Sequence, residues 1–263
     1  MKFSAVAAVA ALAPSFVSAH YFFAHLYVND VKSAEYEYVR RSTQGFQPHF
    51  GPSIMTSNDM RCNTGSQANA ARTKIAKVKA GDTIGFGTNL GAQIQHPGPI
   101  QVYMSKAPGA VTSYDGSGDW FKIYQLSPKN PVTADVSSWK VYNKNRIDFA
   151  IPKDIPAGQY LVRIEHIGLH RPSGTEMYFN YAHVEVSNTG GSLPRQTAKI
   201  PGMYKPTDAG IKFSIYGGAK TYPFPGPALI SSGKNAKREE EVEERDVDEA
   251  KPRFSRRYAP NME

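Results

Sequence analysis

Gly158-Gln159-Tyr160-Leu161-Val162-Arg163-Ile164-Glu165-His166-Ile167-Gly168-Leu169-His170-Arg171-Pro172-Ser173-Gly174-Thr175-Glu176-Met177-Tyr178-Phe179-Asn180-Tyr181-Ala182-His183-Val184-Glu185-Val186 reads as two strands joined by a short turn. Branched and aromatic residues fill both runs, and Pro172 and the Ser173-Gly174-Thr175 turn separate them. Side chains alternate with a period of two, so Glu176, Tyr178, Asn180 and Ala182 share one face of the second strand, while Phe179, Tyr181 and His183 share the other. Glu176 and Tyr178 therefore act together or not at all. A buried tyrosine beside a carboxylate is also an ordinary core pairing, so the pair alone does not mark a site.

The rest of the chain repeats this pattern. Of its 263 residues 40% are hydrophobic and 11% aromatic, enough to bury one substantial core; Gly 22 and Pro 19 are scattered among short runs rich in Val, Ile, Tyr and Phe. That composition favours strands joined by ordered loops in one large all-β domain. Residues 21–28 predict a first strand in which His25 falls on the face opposite His20 and reads as structural. Residues 31–52 form a long loop or loose hairpin presenting Tyr36, Tyr38, Arg40, Arg41, Phe46 and His49, a surface suited either to sugars or to nothing in particular. Residues 77–86 read as strand, Ala80-Gly81-Asp82 turn, strand. Pro97-Gly98-Pro99 then holds His96 rigidly at the start of a strand over residues 100–104, a sensible place for a ligand or for a neutral structural histidine.

Residues 1–19 have the form of a secretory signal peptide: basic Lys2, an apolar run from 3 to 13 too short to span a membrane, and the small-residue site Val17-Ser18-Ala19. Cleavage after Ala19 leaves His20 as the first residue, and its terminal α-amine and imidazole Nδ1 can close a six-membered ring on one metal ion. Some residue must follow any cut, so the junction needs support from elsewhere. Net charge is +8 with pI near 9.4, without a recognised nucleic-acid motif; the charge serves solubility or attraction to acidic wall polymers. The single cysteine, Cys62, has no intramolecular partner, and no Asn-x-Ser/Thr sequon is present. Residues 231–263 predict a disordered, charged tail: residues 239–249 hold eight acids and one Arg, and Lys237-Arg238 and Arg256-Arg257 have the form of dibasic processing sites. The tail is neither a cysteine-rich cellulose-binding module nor a lipid-anchor signal.

Several motifs in order point to one family: His20 behind the signal peptide, His96-Pro97-Gly98-Pro99 leading into Val102-Tyr103-Met104-Ser105-Lys106-Ala107-Pro108-Gly109, Gly116-Ser117-Gly118-Asp119-Trp120-Phe121-Lys122-Ile123, Leu169-His170, the strand carrying Tyr178, Pro201-Gly202-Met203-Tyr204, and Tyr222-Pro223-Phe224-Pro225-Gly226-Pro227. From His20 to about Pro227 the chain closely resembles fungal lytic polysaccharide monooxygenases of auxiliary activity family nine, formerly glycoside hydrolase family sixty-one. The resemblance implies an immunoglobulin-like antiparallel β-sandwich, over residues 20–230, whose long loops form a flat substrate face. It implies one copper ion held by the amine and Nδ1 of His20 and Nε2 of His96, with Tyr178 as axial ligand, His170 and Glu176 in catalytic support, and Tyr222 stacked on the sugar plane. Imidazole and amine nitrogens suit copper.

The implied activity is secreted, extracellular oxidative cleavage of cellulose or a related β-1,4-glucan by hydrogen abstraction at the first or fourth ring carbon. It uses dioxygen or peroxide and an external reductant, in a monomer acting on an insoluble polysaccharide surface with no membrane or nucleic-acid partner. Three departures stand out. Glu176 replaces the family's usual glutamine, the partner of the cysteine matching Cys62 would fall at Tyr181, and the loop from His170 to Glu176 is short. A non-catalytic copper-binding or wall-binding protein on the same fold is the alternative. A hydrolase is the weaker rival, since no pair of carboxylates sits in recognisable glycosidase motifs.

Overall fold

A computed structural model describes residues 20–129, 132–171 and 174–230. The expected signal peptide and charged tail lie outside the described residues. Eleven strands are present among those described: β1 Phe23–Val28, β2 Val31–Lys32, β3 His49–Phe50, β4 Ala76–Lys79, β5 Thr83–Thr88, β6 Ile100–Lys106, β7 Asp119–Leu126, β8 Arg146–Ala150, β9 Gly158–Gly168, β10 Glu176–Ser187 and β11 Ala198–Lys199. They form two sheets, one ordered β2-β1-β5-β8 and one ordered β11-β7-β6-β9-β10-β3. The two strands anticipated around the 171–175 turn are β9 and β10, paired antiparallel from Glu176↔Gly168 to Val186↔Gly158.

All ladders are antiparallel except one. β4 runs parallel to β10, with Val184 opposite Ala76. The anticipated strand-turn-strand over residues 77–86 is therefore no hairpin: Gly81, at φ +94, turns the chain out of the larger sheet, and β5 joins the smaller sheet between β1 and β8. Phe23, Leu26, Ile84 and Phe86 of the smaller sheet and Val102, Val162 and Ile164 of the larger are all fully buried in one continuous core. Each such side chain contributes roughly 1.5–3 kcal/mol by leaving water.

The loop over residues 31–52 does not present all of its basic side chains, as the sequence suggested. Val39 bridges to Ala182, and Arg40 is fully buried. Its guanidinium donates to Gln67 Oε1 at 2.6 Å, to the carbonyls of Val111 and Tyr114 at 2.8 Å each, to the Tyr181 hydroxyl and to His183 Nε2. Fixed acceptors on every side make burial of the cation tolerable. Cys62 is a buried thiol without a disulfide, as expected, and also contacts Arg40. The guanidinium thus touches both Cys62 and Tyr181. His25 behaves as the structural residue expected, Nδ1 lying 3.1 Å from the Ser33 carbonyl.

Candidate metal centre

The chain following His20 is pinned before β1 begins. Asn89 Oδ1 accepts from the Phe22 amide and Asn180 Oδ1 from the Phe23 amide, both at 3.0 Å. Tyr21 is buried and stacks on Tyr178 with ring centroids 4.7 Å apart and planes 8° apart. His96 is fixed by the Pro-Gly-Pro turn, which hydrogen-bonds along the end of β9: the Leu169 amide donates to Pro97 O at 2.9 Å and the Ile167 amide to Pro99 O at 3.2 Å. A Cβ at Gly98 would stand 1.9 Å from Ile167 O, so only glycine lets this turn lie so close. His170 follows the end of β9, and Glu176 opens β10.

These elements bring His20, His96, His170, Glu176 and Tyr178 together. Glu176 Oε2 lies 4.0 Å from His20 Nε2 and 3.8 Å from His96 Nε2, and accepts from the Tyr178 hydroxyl at 2.7 Å. Its other oxygen is 3.4 Å from His170 Nε2 and 3.5 Å from Arg171 Nη1. The rings of His96 and His170 stack at 4.1 Å. The ring of His20 turns Nε2 toward Glu176, whereas the chelate anticipated from the sequence uses Nδ1. One donor atom from each of His20, His96 and Glu176 lies within 4.8 Å of the others.

The electrostatics set the protonation states. Burial lowers His96 to about 4, helped by His170 and His20 and opposed by Glu176, so it is neutral and able to ligate. Burial would raise the Glu176 carboxyl, but hydrogen bonds from His170 and Tyr178 and the nearby histidines outweigh it and bring it to about 2. Tyr178 is held far above the usual phenol value by burial and by the carboxylate it donates to, which keeps its proton in place.

Whether copper suits these residues is answered by His96. Its Nε2 is buried yet has no hydrogen-bond partner among the described residues, an expensive state for an imidazole nitrogen unless something binds it. It faces the gap shared with His20 and Glu176, and imidazole nitrogens favour copper within the first-row divalent series. The residues fit the ion.

A profile of Auxiliary Activity family 9 (formerly GH61) matches residues 20–223. The chain belongs to Auxiliary Activity family 9. It is 46% identical over 230 residues to the family's lytic polysaccharide monooxygenase G of Aspergillus tamarii, covering 86% of this chain and 70% of that one. It is 42% identical over 248 residues to monooxygenase D of Emericella nidulans, covering 90% and 85%. Among solved structures it resembles a cellulose-active polysaccharide monooxygenase from M. thermophila, with TM-score 0.68, 27% identity and coverage of 80% and 99%. Membership makes the chain a lytic polysaccharide monooxygenase, a copper-dependent oxidoreductase that cleaves polysaccharide oxidatively, and the β-sandwich anticipated from the motifs is the family fold.

One member of the anticipated site is misplaced. Tyr222 is 6% exposed, wedged against Trp139, Phe213 and Phe224, with its hydroxyl donating to Gly210 O at 2.9 Å. It has no open face for a sugar ring. The exposed aromatic of the closing segment is Tyr216, 66% exposed, whose hydroxyl reaches the His170 carbonyl at 3.4 Å.

Sequence reading also left out Tyr21 and His166 of this family-nine site. His166 faces Tyr178 across the β9–β10 ladder, is fully buried, and takes the Tyr21 hydroxyl on Nδ1. Burial drives it down to about 3, so it stays neutral. The register of the two strands was the available signal: with Glu176 placed opposite Gly168, Tyr178 must meet His166. Arg171, stacked 4.7 Å above Phe50, closes the outer side of Glu176.

Proposed function

We propose that this family-nine chain is secreted, begins at His20 once residues 1–19 are removed, and cleaves β-1,4-linked glucan oxidatively as a monomer on an insoluble surface. Residues 20–230 form the working domain, and residues 231–263 are a charged tail open to trimming at its dibasic sites. The α-amine and ring of His20, together with His96 Nε2, hold one copper beside Tyr178. Bound there, copper supplies one-electron chemistry toward dioxygen or peroxide at the expense of an external reductant.

The protein side of the reaction is positioning and proton control. His96 arrives neutral, so no proton has to leave it before it binds. Tyr178 and His170 donate toward Glu176, which fixes both rings and keeps their protons away from the substrate side. The side chains of His20 and His170, 30% and 28% exposed, are the parts of the cluster open to the surface. Tyr216 at the rim offers a ring face on which a sugar can stack. Replacement of a hydrogen at the first or fourth ring carbon by a hydroxyl, its oxygen drawn from dioxygen or peroxide and, for dioxygen, two electrons from the external reductant, gives an unstable carbon from which elimination expels the neighbouring sugar as an alcohol and breaks the glycosidic bond there.

The observation that carries this reading is the buried His96 Nε2, without a hydrogen-bond partner among the described residues, facing the gap shared with His20 and Glu176. The test is to incubate copper-loaded protein beginning at His20 with amorphous cellulose and ascorbate and analyse the soluble products by mass spectrometry. Oligosaccharides oxidised at either carbon, absent without ascorbate or copper, are expected. Products that form without reductant would indicate hydrolysis, and tight copper binding without products would indicate a binding protein.

A further inference from the structure

We propose that a cleft beside the metal centre binds a small aromatic carboxylate of the phenolic-acid class, which serves as the external reductant. This rests on the reading of the centre as a reductant-driven one and deepens it. The cleft holds about 300 Å³, and its walls include Met55, Leu169, Ile211, Phe213, Arg171 and Lys212. Met55, Leu169 and Ile211 are buried, and Phe213 is fixed edge-on to Tyr222 with ring centroids 5.0 Å apart. Among the described residues two cations line the cleft and no carboxylate does.

This combination selects its ligand. An apolar wall accepts a flat ring by removing it from water, whereas a sugar would bury hydroxyls there without partners. The cations add a preference for a negative end. They contribute unequally. Arg171 Nη1 lies 3.5 Å from Glu176 Oε1 and its guanidinium sits 4.7 Å above Phe50, so its charge is partly matched already. Lys212 is exposed and forms no ion pair among the described residues, so it carries most of the charge selection. Ligand pockets run from about 300 to 1,000 Å³. A cleft at the small end takes one ring with a short acidic arm and excludes a polysaccharide chain.

The position gives the ligand its use. Leu169 and Arg171 of the wall bracket His170 in the chain, and the His170 ring stacks on His96 at 4.1 Å. A phenol bound here gives one electron to copper, taking it from Cu(II) to Cu(I), and its hydroxyl proton to water. It leaves as a phenoxyl radical.

The experiment titrates metal-free protein beginning at His20 with caffeate, followed by backbone amide NMR, as wild type, Lys212→Glu, Lys212→Arg and Lys205→Glu. Shifts should cluster at Met55, Leu169, Ile211 and Phe213. An exposed ion pair is worth up to about fivefold in affinity, so Lys212→Glu should weaken caffeate by about that factor or more, and the methyl ester of caffeate should bind the wild type as weakly. Lys212→Arg should keep the affinity, as should Lys205→Glu, the same charge reversal at an exposed residue outside the cleft. With copper loaded, the Cu(II) resonance should decay more slowly in Lys212→Glu under non-saturating caffeate, by the factor seen in binding, and equally in all forms under neutral catechol. No shift at the four residues up to about 10 mM caffeate, or equal caffeate affinity in wild type and Lys212→Glu, overturns the proposal. Glucuronate binding as tightly as caffeate assigns the cleft to acidic sugars and overturns it too. Equal Cu(II) decay under caffeate in wild type and Lys212→Glu overturns the reductant role. All four results leave the copper reading standing, whereas failure of copper to bind at His20 and His96 overturns that reading and, with it, the reductant role.

Discussion

Tyr178 donates its hydroxyl proton to Glu176 Oε2 at 2.7 Å, across two residues on one face of β10. The alternation of the strand puts the two side chains on one face, and the hydrogen bond couples them, as the sequence required if either was to act.

The coupling has an electrochemical consequence. Glu176 is brought to about 2 and is ionised at any working pH, and a negative charge beside copper favours Cu(II) over Cu(I). Glu176→Gln should raise the reduction potential. Cyclic voltammetry of the two copper-loaded proteins checks it, and an unchanged potential contradicts it.

Tyr216 and Tyr222 separate substrate binding from folding. Tyr216→Ala should weaken binding to insoluble cellulose by roughly tenfold, about 1.4 kcal/mol, with copper affinity and melting temperature unchanged. Tyr222→Ala removes a buried ring from contact with Trp139, Phe213 and Phe224 and should cost roughly 3–5 kcal/mol of stability. Binding isotherms and thermal melts of both variants test the assignment. Full cellulose binding by Tyr216→Ala would refute it.

The contrast between these two tyrosines shows where sequence reading stops. Strand alternation put Glu176 and Tyr178 on one face, and the Pro-Gly-Pro turn set His96 at a strand entry, because both rest on local backbone rules; it was the resemblance to the family, not those rules, that joined them into one site. Position in an irregular segment has no such rule: residues 201–230 contain no strand, and which aromatic turns outward depends on packing against Trp139, which lies far away in sequence. The crossing of β4 into the larger sheet was equally hidden, since a turn looks the same whether it joins neighbours or changes sheets. Arg40 read as a surface cation because its acceptors, Gln67, Val111, Tyr114, Tyr181 and His183, are brought to it only by the fold.

Buried histidines predict how the metal-free protein responds to acid. Burial lowers His96 to about 4 and His166 and His183 to about 3, against an ordinary value near 6.5. Between about pH 6.5 and 4 the unfolded chain takes up protons that the folded chain refuses, so stability is present above about 6.5 and falls steadily with pH through that window. Glu176 adds nothing to this loss until the pH drops below its ordinary carboxylate range. Melting temperatures measured from pH 7 to 4 should decline. A flat profile would contradict the neutral, buried assignment.

Cys62 should be chemically silent in the folded protein. Burial pushes its thiol up to about 12 against the opposing influence of Arg40 and Ser66, so almost no thiolate exists at pH 8. Alkylation should proceed only in denaturant, and rapid labelling of the native protein would show that the thiol is open.

The central claim is that the terminal amine of His20 helps hold copper. One extra residue before His20 turns that amine into an amide and removes the chelate ring while leaving His96 and the rest of the fold intact. Calorimetric titration of copper into protein beginning at His20, and into the same protein extended by one residue, measures the difference directly. The account predicts a copper affinity weaker by orders of magnitude in the extended form, restored when the residue is removed, with both forms melting alike in the absence of metal. Equal copper affinity in the two forms would contradict it.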